Sequence, residues 1–144
     1  MNTIAYALSG GGARGAYVAG VLRYLTTVLP QKLGYVPWPK LVSGSSVGAL
    51  NGYGVACHEQ GEVYRTNQLW TNINIDQIYK LPTGVFTFLQ SLNRAAYSGG
   101  ILDASPLRTL IEQEAARRVL RQGIHPDRCH AYLVTATHLA SGSS

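Results

Sequence analysis

Hydrophobic and polar positions along the chain twice follow the order strand, glycine-rich turn, helix. Residues 4–8 form a short apolar run that predicts a buried strand, and residues 15–29 carry apolar side chains at helical spacing up to Pro30. Residues 41–43 predict a second short strand, and residues 47–58 predict a second helix rich in small side chains. Two such units in succession predict an α/β fold with a mainly parallel sheet.

The second half of the chain is less regular. Residues 62–70 predict a helix, whereas residues 71–100 mix short apolar groups with proline and glycine. We interpret residues 71–100 as short helices in a surface excursion, with a cap over the site as its candidate role. Ser105 as N-cap and Pro106 at the first helical position predict another helix, and residues 131–137 predict a final strand.

Composition and charge narrow the class of protein without identifying a ligand. The 144 residues are 46% hydrophobic and 13% charged, which is typical of a globular domain. The net charge of +5 favours an anionic partner such as lipid headgroups or nucleic acid. The basic cluster Arg117, Arg118 and Arg121 is interpreted as a solvated helix face, since Glu112 and Glu114 lie close before it. Basic and aromatic residues are not interleaved, so no nucleic-acid partner is expected.

The chain shows no signal for secretion or membrane insertion. No basic N-terminal region precedes an apolar run, and no stretch reaches the ~18 apolar residues that a membrane span needs. The prediction is a soluble, cytoplasmic protein, with peripheral contact at membranes as an extension. Cys57 and Cys129 could form one disulfide, but two buried free thiols in a reducing compartment is the preferred interpretation.

The second strand–helix turn has the pattern Gly44-x-Ser46-x-Gly48. A nucleophile elbow requires this context, because a strained turn there exposes the serine hydroxyl at the carboxyl edge of the sheet. The N-terminus of the following helix favours negative charge that develops at this position. The alternative from these residues alone is a tight turn in which Ser46 caps the helix.

The first strand–helix turn, residues 10–15, reads Gly-Gly-Gly-Ala-Arg-Gly. Backbone N–H groups left uncovered in such a turn at a helix N-terminus bind anions. In an acyl hydrolase the anion is the oxyanion of the tetrahedral intermediate. In a dinucleotide-binding fold it is a pyrophosphate, and Gly10, Gly12 and Gly15 do match G-x-G-x-x-G.

The dinucleotide interpretation requires an acidic residue at the end of the second strand, about 20 residues further on. Residues 31–43 contain no Asp or Glu, and the second strand runs instead into the Ser46 turn. Both glycine turns are expected at the carboxyl ends of parallel strands, where such folds place their sites. Acyl transfer is therefore the preferred interpretation, and a nucleotide-binding module is the alternative.

The two motifs in this order resemble the patatin-like phospholipase family. The resemblance rests on Leu-Ser-Gly-Gly-Gly-Ala-Arg-Gly-Ala-Tyr-Val-Ala-Gly-Val-Leu at 8–22 and Val-Ser-Gly-Ser-Ser-Val-Gly-Ala-Leu-Asn-Gly at 42–52. Weaker similarity continues through 69–70, 100–107 and 133–137, and so covers nearly the whole chain. The resemblance implies a three-layer α/β/α domain with a mainly parallel sheet. It also implies hydrolysis of lipid acyl esters by a serine–aspartate dyad, with no metal or organic cofactor.

The resemblance also implies roles for individual residues. Ser46 matches the nucleophile that forms an acyl-enzyme, and Gly11 and Gly12 match the oxyanion-hole amides. Arg14 matches the basic position of the glycine motif. Contact with a lipid phosphate is one role for Arg14, and a salt bridge or helix contact that fixes the loop is another.

The family's aspartate lies in an Asp-Gly-Gly or Asp-Gly-Ala turn downstream of the final strand, and this sequence contains no such turn. Its aspartates, Asp76, Asp103 and Asp127, are interpreted as turn, capping or loop residues. We therefore expect residues 1–144 to be the N-terminal portion of a single patatin-like phospholipase domain whose C-terminal part is missing. Such a portion is expected to be hydrolytically impaired as it stands.

A histidine is the other candidate base. His58 is expected roughly 18 Å along the helix from Ser46, and His125 and His130 flank a loop-to-strand junction. His138, expected at the end of the last strand, is the one histidine placed to serve. No pair of histidines has metal-ligand spacing with a carboxylate partner, so no metal site is expected. A non-catalytic pseudoenzyme that binds lipid surfaces is a further alternative.

Overall fold

The computed structural model describes residues 3–79, 104–119 and 123–135. The chain divides into two units, one of residues 1–72 with 123–144 and the other of residues 73–122. Both glycine turns lie in the first unit.

Three parallel strands form the sheet of the first unit, in the order β1 (Ala5–Leu8), β2 (Leu41–Ser45) and β3 (Ala131–Thr135). The register pairs Leu8 with Gly44 and Gly44 with Val134, so the carboxyl ends of the three strands share one edge. The parallel sheet and its helices confirm the predicted α/β class. Of the strand predicted at 131–137, residues 136 and 137 lie outside the described residues.

The described residues of the first unit form the α-helices α1 (Gly15–Thr27), α2 (Pro30–Leu33), α3 (Val47–Ala56) and α4 (Gln60–Asn72), with a 3-10 turn at Gly12–Arg14 before α1. The helix predicted over residues 15–29 ends at Thr27, before Pro30, and Pro30 begins the separate short helix α2. A proline in the first turn of a helix sacrifices no hydrogen bond, since its N–H would have no intrahelical partner there. The second predicted helix ends at Ala56 rather than at residue 58, and His58 adopts a left-handed φ of 54° just beyond it.

The core lies between one face of the sheet, helix α3, which packs on that face, and helices α1 and α4, which pack against α3 and against each other. Its buried members are Leu22, Val42, Val55, Ala56, Val63 and Cys129. The small side chains of α3 bring that helix close to the sheet. A Cβ placed on Gly52 would lie 3.0 Å from Val42 Cγ1 and 3.3 Å from Tyr132 Cε2.

Cys57 and Cys129 are both buried and free, as predicted. Burial raises the pKa of the Cys129 thiol. Both groups therefore contribute to the structure as small apolar side chains.

The second unit contains a 3-10 turn at Ile75–Gln77 and helix α5 (Ser105–Val119). The Ala104 carbonyl accepts the Arg108 N–H at 3.1 Å, so α5 begins one residue before the prediction and Ser105 lies inside the helix rather than capping it. Most of the predicted excursion, with Asp103, lies in residues 80–103, outside the described residues. Within α5, the exposed Arg117 pairs with Glu114 at 3.2 Å, but Glu114 is buried, so the predicted solvated face does not include Glu114.

Candidate active site

Ser46 stands at the carboxyl end of the central strand, between β2 and α3. Its carbonyl accepts the Ala49 N–H at 2.9 Å, which is the first hydrogen bond of α3. Its side chain is exposed and makes no capping hydrogen bond to that helix. The alternative in which the Ser46 hydroxyl caps α3 is therefore not realised, and the hydroxyl faces open space at the sheet edge.

The backbone of Ser46 is strained. Its φ of 52° and ψ of −128° lie in a backbone region that residues other than glycine rarely adopt. These angles belong to the second residue of a type II′ turn, and such a conformation costs about 1–3 kcal/mol in a residue other than glycine. Strain of this kind is what the elbow pattern predicts.

The flanking glycines make this turn sterically feasible. A Cβ on Gly48 would overlap the Leu8 carbonyl oxygen and lie 2.6 Å from the Ser9 carbonyl oxygen. A Cβ on Gly44 would lie 2.6 Å from Ala49 Cα. The first turn of α3 therefore packs backbone against backbone on the end of β1, which only glycine permits.

The glycine turn after β1 runs directly alongside Ser46. Since Leu8 pairs with Gly44, the residues that follow each strand meet at the same edge of the sheet. A Cβ on Gly10 would lie 3.1 Å from Ser46 Cβ and 3.3 Å from the Ser45 carbonyl oxygen. The structure thus brings together the two motifs that the sequence placed 34 residues apart, Gly10–Gly15 and Gly44–Gly48.

The backbone of the glycine turn leaves hydrogen-bond donors unused. Gly12 has a left-handed φ of 56°, and the Arg14 N–H turns back to the Gly11 carbonyl at 3.2 Å. Within the described ranges, no backbone acceptor is found for the N–H of Gly11 or of Gly12. Two N–H groups on the loop that passes Ser46 are therefore available to an anion.

Arg14 folds over the same loop. A Cβ on Gly11 would lie 3.3 Å from Arg14 Cβ and 3.5 Å from Arg14 Cδ, so the arginine stem covers Gly11. The side chain is exposed, and no salt bridge from it is found in the part of the chain that the structure describes. Of the roles considered for Arg14, the loop contact is present and the guanidinium is open to solvent.

Asn51 is a site residue to which sequence reasoning gave no role. It lies on α3, is 1% exposed, and donates from Nδ2 to the Gly15 carbonyl at 2.8 Å. Its Oδ1 accepts the Trp70 Nε1–H, also at 2.8 Å, and the Trp70 ring occupies the space that a Gly15 side chain would fill. Asn51 thus joins the start of α1 to α3 and α4. The available signal was a lone amide within the small, apolar sequence of α3.

The described histidines do not reach Ser46. His58 Nε2 lies 2.6 Å from the Pro39 carbonyl oxygen, and its ring stacks on Trp38 with a centroid separation of 5.2 Å. Burial, opposed in part by that carbonyl contact, lowers the pKa of His58, and the charges of Lys40 and Arg128 lower it further. His58 is therefore a structural residue at the amino edge of β2, on the side of the sheet away from Ser46.

The loop before β3 lies at the same amino edge. Lys40, which precedes β2, donates from Nζ to the Asp127 carbonyl at 3.0 Å and accepts the His130 N–H on its own carbonyl at 2.8 Å. The five-residue strand β2 separates this edge from Ser46 by roughly 15 Å. Asp127, His125 and His130 are thus not brought to the site, and His138 lies outside the described residues.

A family model described as patatin-like phospholipase matches residues 6–140. The match covers both glycine motifs, strands β2 and β3, and β1 from Tyr6 onward. A search of curated proteins and a search of solved structures each gave no match. None of the helices in the described ranges has the length and apolar character needed to cross a bilayer.

Proposed function

This chain belongs to the patatin-like phospholipase family, whose members are lipid acyl hydrolases, and we propose that Ser46 is its nucleophile. The observation that supports the proposal best is the backbone of Ser46, which is strained, ends the central strand and leaves the hydroxyl exposed and uncapped. A turn that served only to connect β2 to α3 would gain nothing from holding a serine at positive φ.

In the proposed reaction, Ser46 Oγ attacks the carbonyl carbon of a lipid ester while a base accepts the hydroxyl proton. The tetrahedral intermediate carries its negative charge on the former carbonyl oxygen. Collapse expels the alcohol, which takes up the proton, and leaves the acyl group on Ser46. Water then attacks this acyl-enzyme and releases the fatty acid and the free serine.

The N–H groups of Gly11 and Gly12 are proposed to hold the oxyanion. They lie on the loop that contacts Ser46 through Gly10, and no backbone acceptor competes for them within the described ranges. Loss of one such donor typically lowers kcat by about 10²–10³. The N-terminus of α3 adds a favourable field at the same place.

The base is proposed to come from outside the described residues of the first unit. The acidic and histidine side chains among those residues lie in loops and helix ends near the amino edge of the sheet, away from Ser46. They are His58, Glu59, Glu62, His125, Asp127 and His130. Arg14, exposed beside the oxyanion loop, is proposed to contact the phosphate of a phospholipid substrate.

Labelling with a fluorophosphonate probe in the native protein that contains this sequence tests the proposal. Ser46→Ala is expected to abolish labelling, and Ser45→Ala, the matched change at the neighbouring exposed serine, is expected to retain it. Absence of labelling together with binding to anionic vesicles would favour the pseudoenzyme. Micromolar affinity for NAD or ATP, measured by fluorescence titration, would favour the nucleotide-binding module.

A further inference from the structure

Helix α1 has two apolar faces, of which only one is buried. The inward face packs on the core through Gly15, Ala19, Leu22 and Thr26. The outward face carries Tyr17, Val21, Tyr24 and Val28, which are 77%, 38%, 45% and 42% exposed. Their spacing of four, three and four residues places them within about 60° of one another around the helix axis. We call these four residues the α1 stripe.

The α1 stripe is unlike the solvent face of an ordinary surface helix, which carries charged and polar side chains. Arg23 is the only charged residue between Gly15 and Thr27, and it turns sideways to α4. There its guanidinium hydrogen-bonds Asn67 at 3.2 Å and lies 5.1 Å from the centre of the Tyr64 ring. The outward side of α1 is therefore apolar and uncharged over its whole length.

Gly20 lies on the same side of α1, between Tyr17 and Tyr24. Among the described residues, no heavy atom lies within 4 Å of a Cβ placed there, so their packing does not require a glycine. Glycine inside a helix costs about 0.5–1 kcal/mol relative to alanine. Its presence flattens the stripe between the two tyrosines, where the helix backbone can approach another surface closely.

The charged residues of the segment that carries the α1 stripe have one sign. Residues 1–58 contain Arg14, Arg23, Lys32 and Lys40 and no Asp or Glu. Arg14 precedes the stripe and Lys32 follows it, and both side chains are exposed. An apolar, tyrosine-bearing strip with a cation at each end suits an interface between water and anionic headgroups, where tyrosine rings and basic side chains concentrate.

We propose that the α1 stripe, with Arg14 and Lys32, is a docking surface for an anionic lipid bilayer. The tyrosines enter the headgroup region, and the two cations contact lipid phosphates. Tyr17 lies two residues beyond Gly15, at the end of α1 that meets the glycine turn, so docking brings the Ser46 edge toward the lipid. The benefit for catalysis rests on the proposed function, whereas binding to vesicles is measurable without turnover.

A second copy of the chain is the less suitable occupant. Antiparallel pairing of two α1 stripes would set Arg14 of one copy against Lys32 of the other, and parallel pairing would set each cation against its own counterpart. With no acidic residue before Glu59, neither arrangement provides a partner for these charges within the stripe and its flanks. An anionic bilayer neutralises both.

Co-sedimentation of the full chain with vesicles tests the docking surface. The chain is expected to bind phosphatidylcholine vesicles that contain phosphatidylglycerol and to bind pure phosphatidylcholine much more weakly, with affinity falling as salt rises. The double variant Tyr17→Ser, Tyr24→Ser is expected to bind about tenfold more weakly or worse. Arg14→Gln and Lys32→Gln are each expected to lose about fivefold. Ile75→Ser, a matched change at a 60% exposed residue of the second unit, is expected to stay within about twofold of the parent.

Several results would overturn the docking surface. One is equal vesicle binding by the double variant and the parent, and another is no preference for vesicles that contain phosphatidylglycerol. A third is unfolding of the double variant in thermal melts, because that result would make the α1 stripe part of a core. A dimer in size-exclusion chromatography that the double variant abolishes would instead assign the stripe to a second copy.

Tyr17→Trp provides a readout that keeps the aromatic side chain. The emission of the new tryptophan is obtained by subtracting the spectrum of the parent from that of the variant. This emission is expected to shift to the blue when phosphatidylglycerol vesicles are added, and an unchanged spectrum would contradict the proposal. Fluorophosphonate labelling without vesicles tests the proposed function separately. If Ser46 is labelled but the chain does not bind vesicles, only the docking surface is overturned. If the chain binds vesicles but Ser46 is not labelled, only the role of Ser46 is overturned.

Discussion

The side-chain amide of Asn51 donates a 2.8 Å hydrogen bond to the backbone carbonyl of Gly15. Gly15 is the last residue of the glycine turn and the first of α1, whereas Asn51 lies on the second turn of α3, five residues after Ser46. The bond therefore fixes the glycine turn relative to the serine turn. The Trp70 indole completes the arrangement by donating to the Asn51 side-chain oxygen.

Replacement of Asn51 by leucine is expected to destabilise the fold. The change keeps the branched shape of the side chain but removes one hydrogen bond to the Gly15 carbonyl and leaves the Trp70 N–H without its partner, at about 1–3 kcal/mol for a buried group. Urea unfolding should report a loss of about 2–4 kcal/mol. The matched control is Asn72→Leu, since the Asn72 amide donates to the Gln68 carbonyl at an exposed position of α4. A similar loss in both variants would contradict the role given to Asn51.

Two glycine-to-alanine substitutions are expected to act with opposite sign. In Gly48→Ala the new methyl group meets the carbonyl oxygens of Leu8 and Ser9, which belong to the backbone and cannot yield cheaply, so a loss of about 3 kcal/mol is expected. In Gly20→Ala the methyl group meets open space in a helix, so a gain of about 0.5–1 kcal/mol is expected. In thermal and urea unfolding, the midpoint should be lower than that of the parent for Gly48→Ala and higher for Gly20→Ala. Equal effects would show that the contacts of Gly48 do not constrain the turn.

The strain at Ser46 makes an unusual prediction for a glycine substitution. Ser46→Gly is expected to raise the free energy of unfolding by about 1 kcal/mol, because glycine adopts positive φ without a steric penalty. Ser46→Ala keeps a Cβ at the same φ and should not stabilise the protein in this way. The comparison of the two urea midpoints isolates the backbone effect from the loss of the hydroxyl. If Ser46→Gly is no more stable than Ser46→Ala, the turn is not strained.

His58 is expected to make the fold sensitive to mild acid. Burial lowers the pKa of His58 below its ordinary value of 6.5, so the unfolded chain binds a proton at this position more readily than the folded chain does. Stability from this source is fully present above about pH 6.5 and is lost as the pH falls from there through the folded pKa. His58→Gln should flatten the dependence of the urea midpoint on pH across this range. An unchanged slope in the variant would assign the acid sensitivity to other groups.

Local pattern was sufficient to predict the elements that form the site. Strands β1 and β2 were predicted from the apolar runs at 4–8 and 41–43, and α1 was predicted from the helical spacing of apolar residues after Gly15. Each of these elements begins within one residue of its prediction. The errors were at boundaries where backbone geometry decides. Helix α1 ended at Thr27 rather than at residue 29, Pro30 began the separate helix α2, and α5 took its first hydrogen bond one residue earlier than predicted, at Ala104.

The tertiary partners of the site were not predictable from local pattern. Gly48 was expected in the elbow motif, but its contact with the Leu8 and Ser9 carbonyls depends on the register between β1 and β2. The role of Asn51 depends on two segments distant in sequence, Gly15 and Trp70, which converge only in the packed structure. The sequence pattern placed the apolar residues of α1 at helical spacing but did not distinguish those that are buried from those that are exposed. That distinction depends on how α1 packs in the fold.

The most direct test of the central claim is to locate a fluorophosphonate adduct in the native protein that contains this sequence. Cleavage after Lys40 and Arg65 releases a peptide that holds Ser43, Ser45 and Ser46 together, and fragmentation of that peptide by mass spectrometry identifies the modified serine. The role proposed here predicts a single adduct on Ser46 Oγ. An adduct on another residue, or native protein that stays unmodified under conditions that label serine hydrolases, would contradict it.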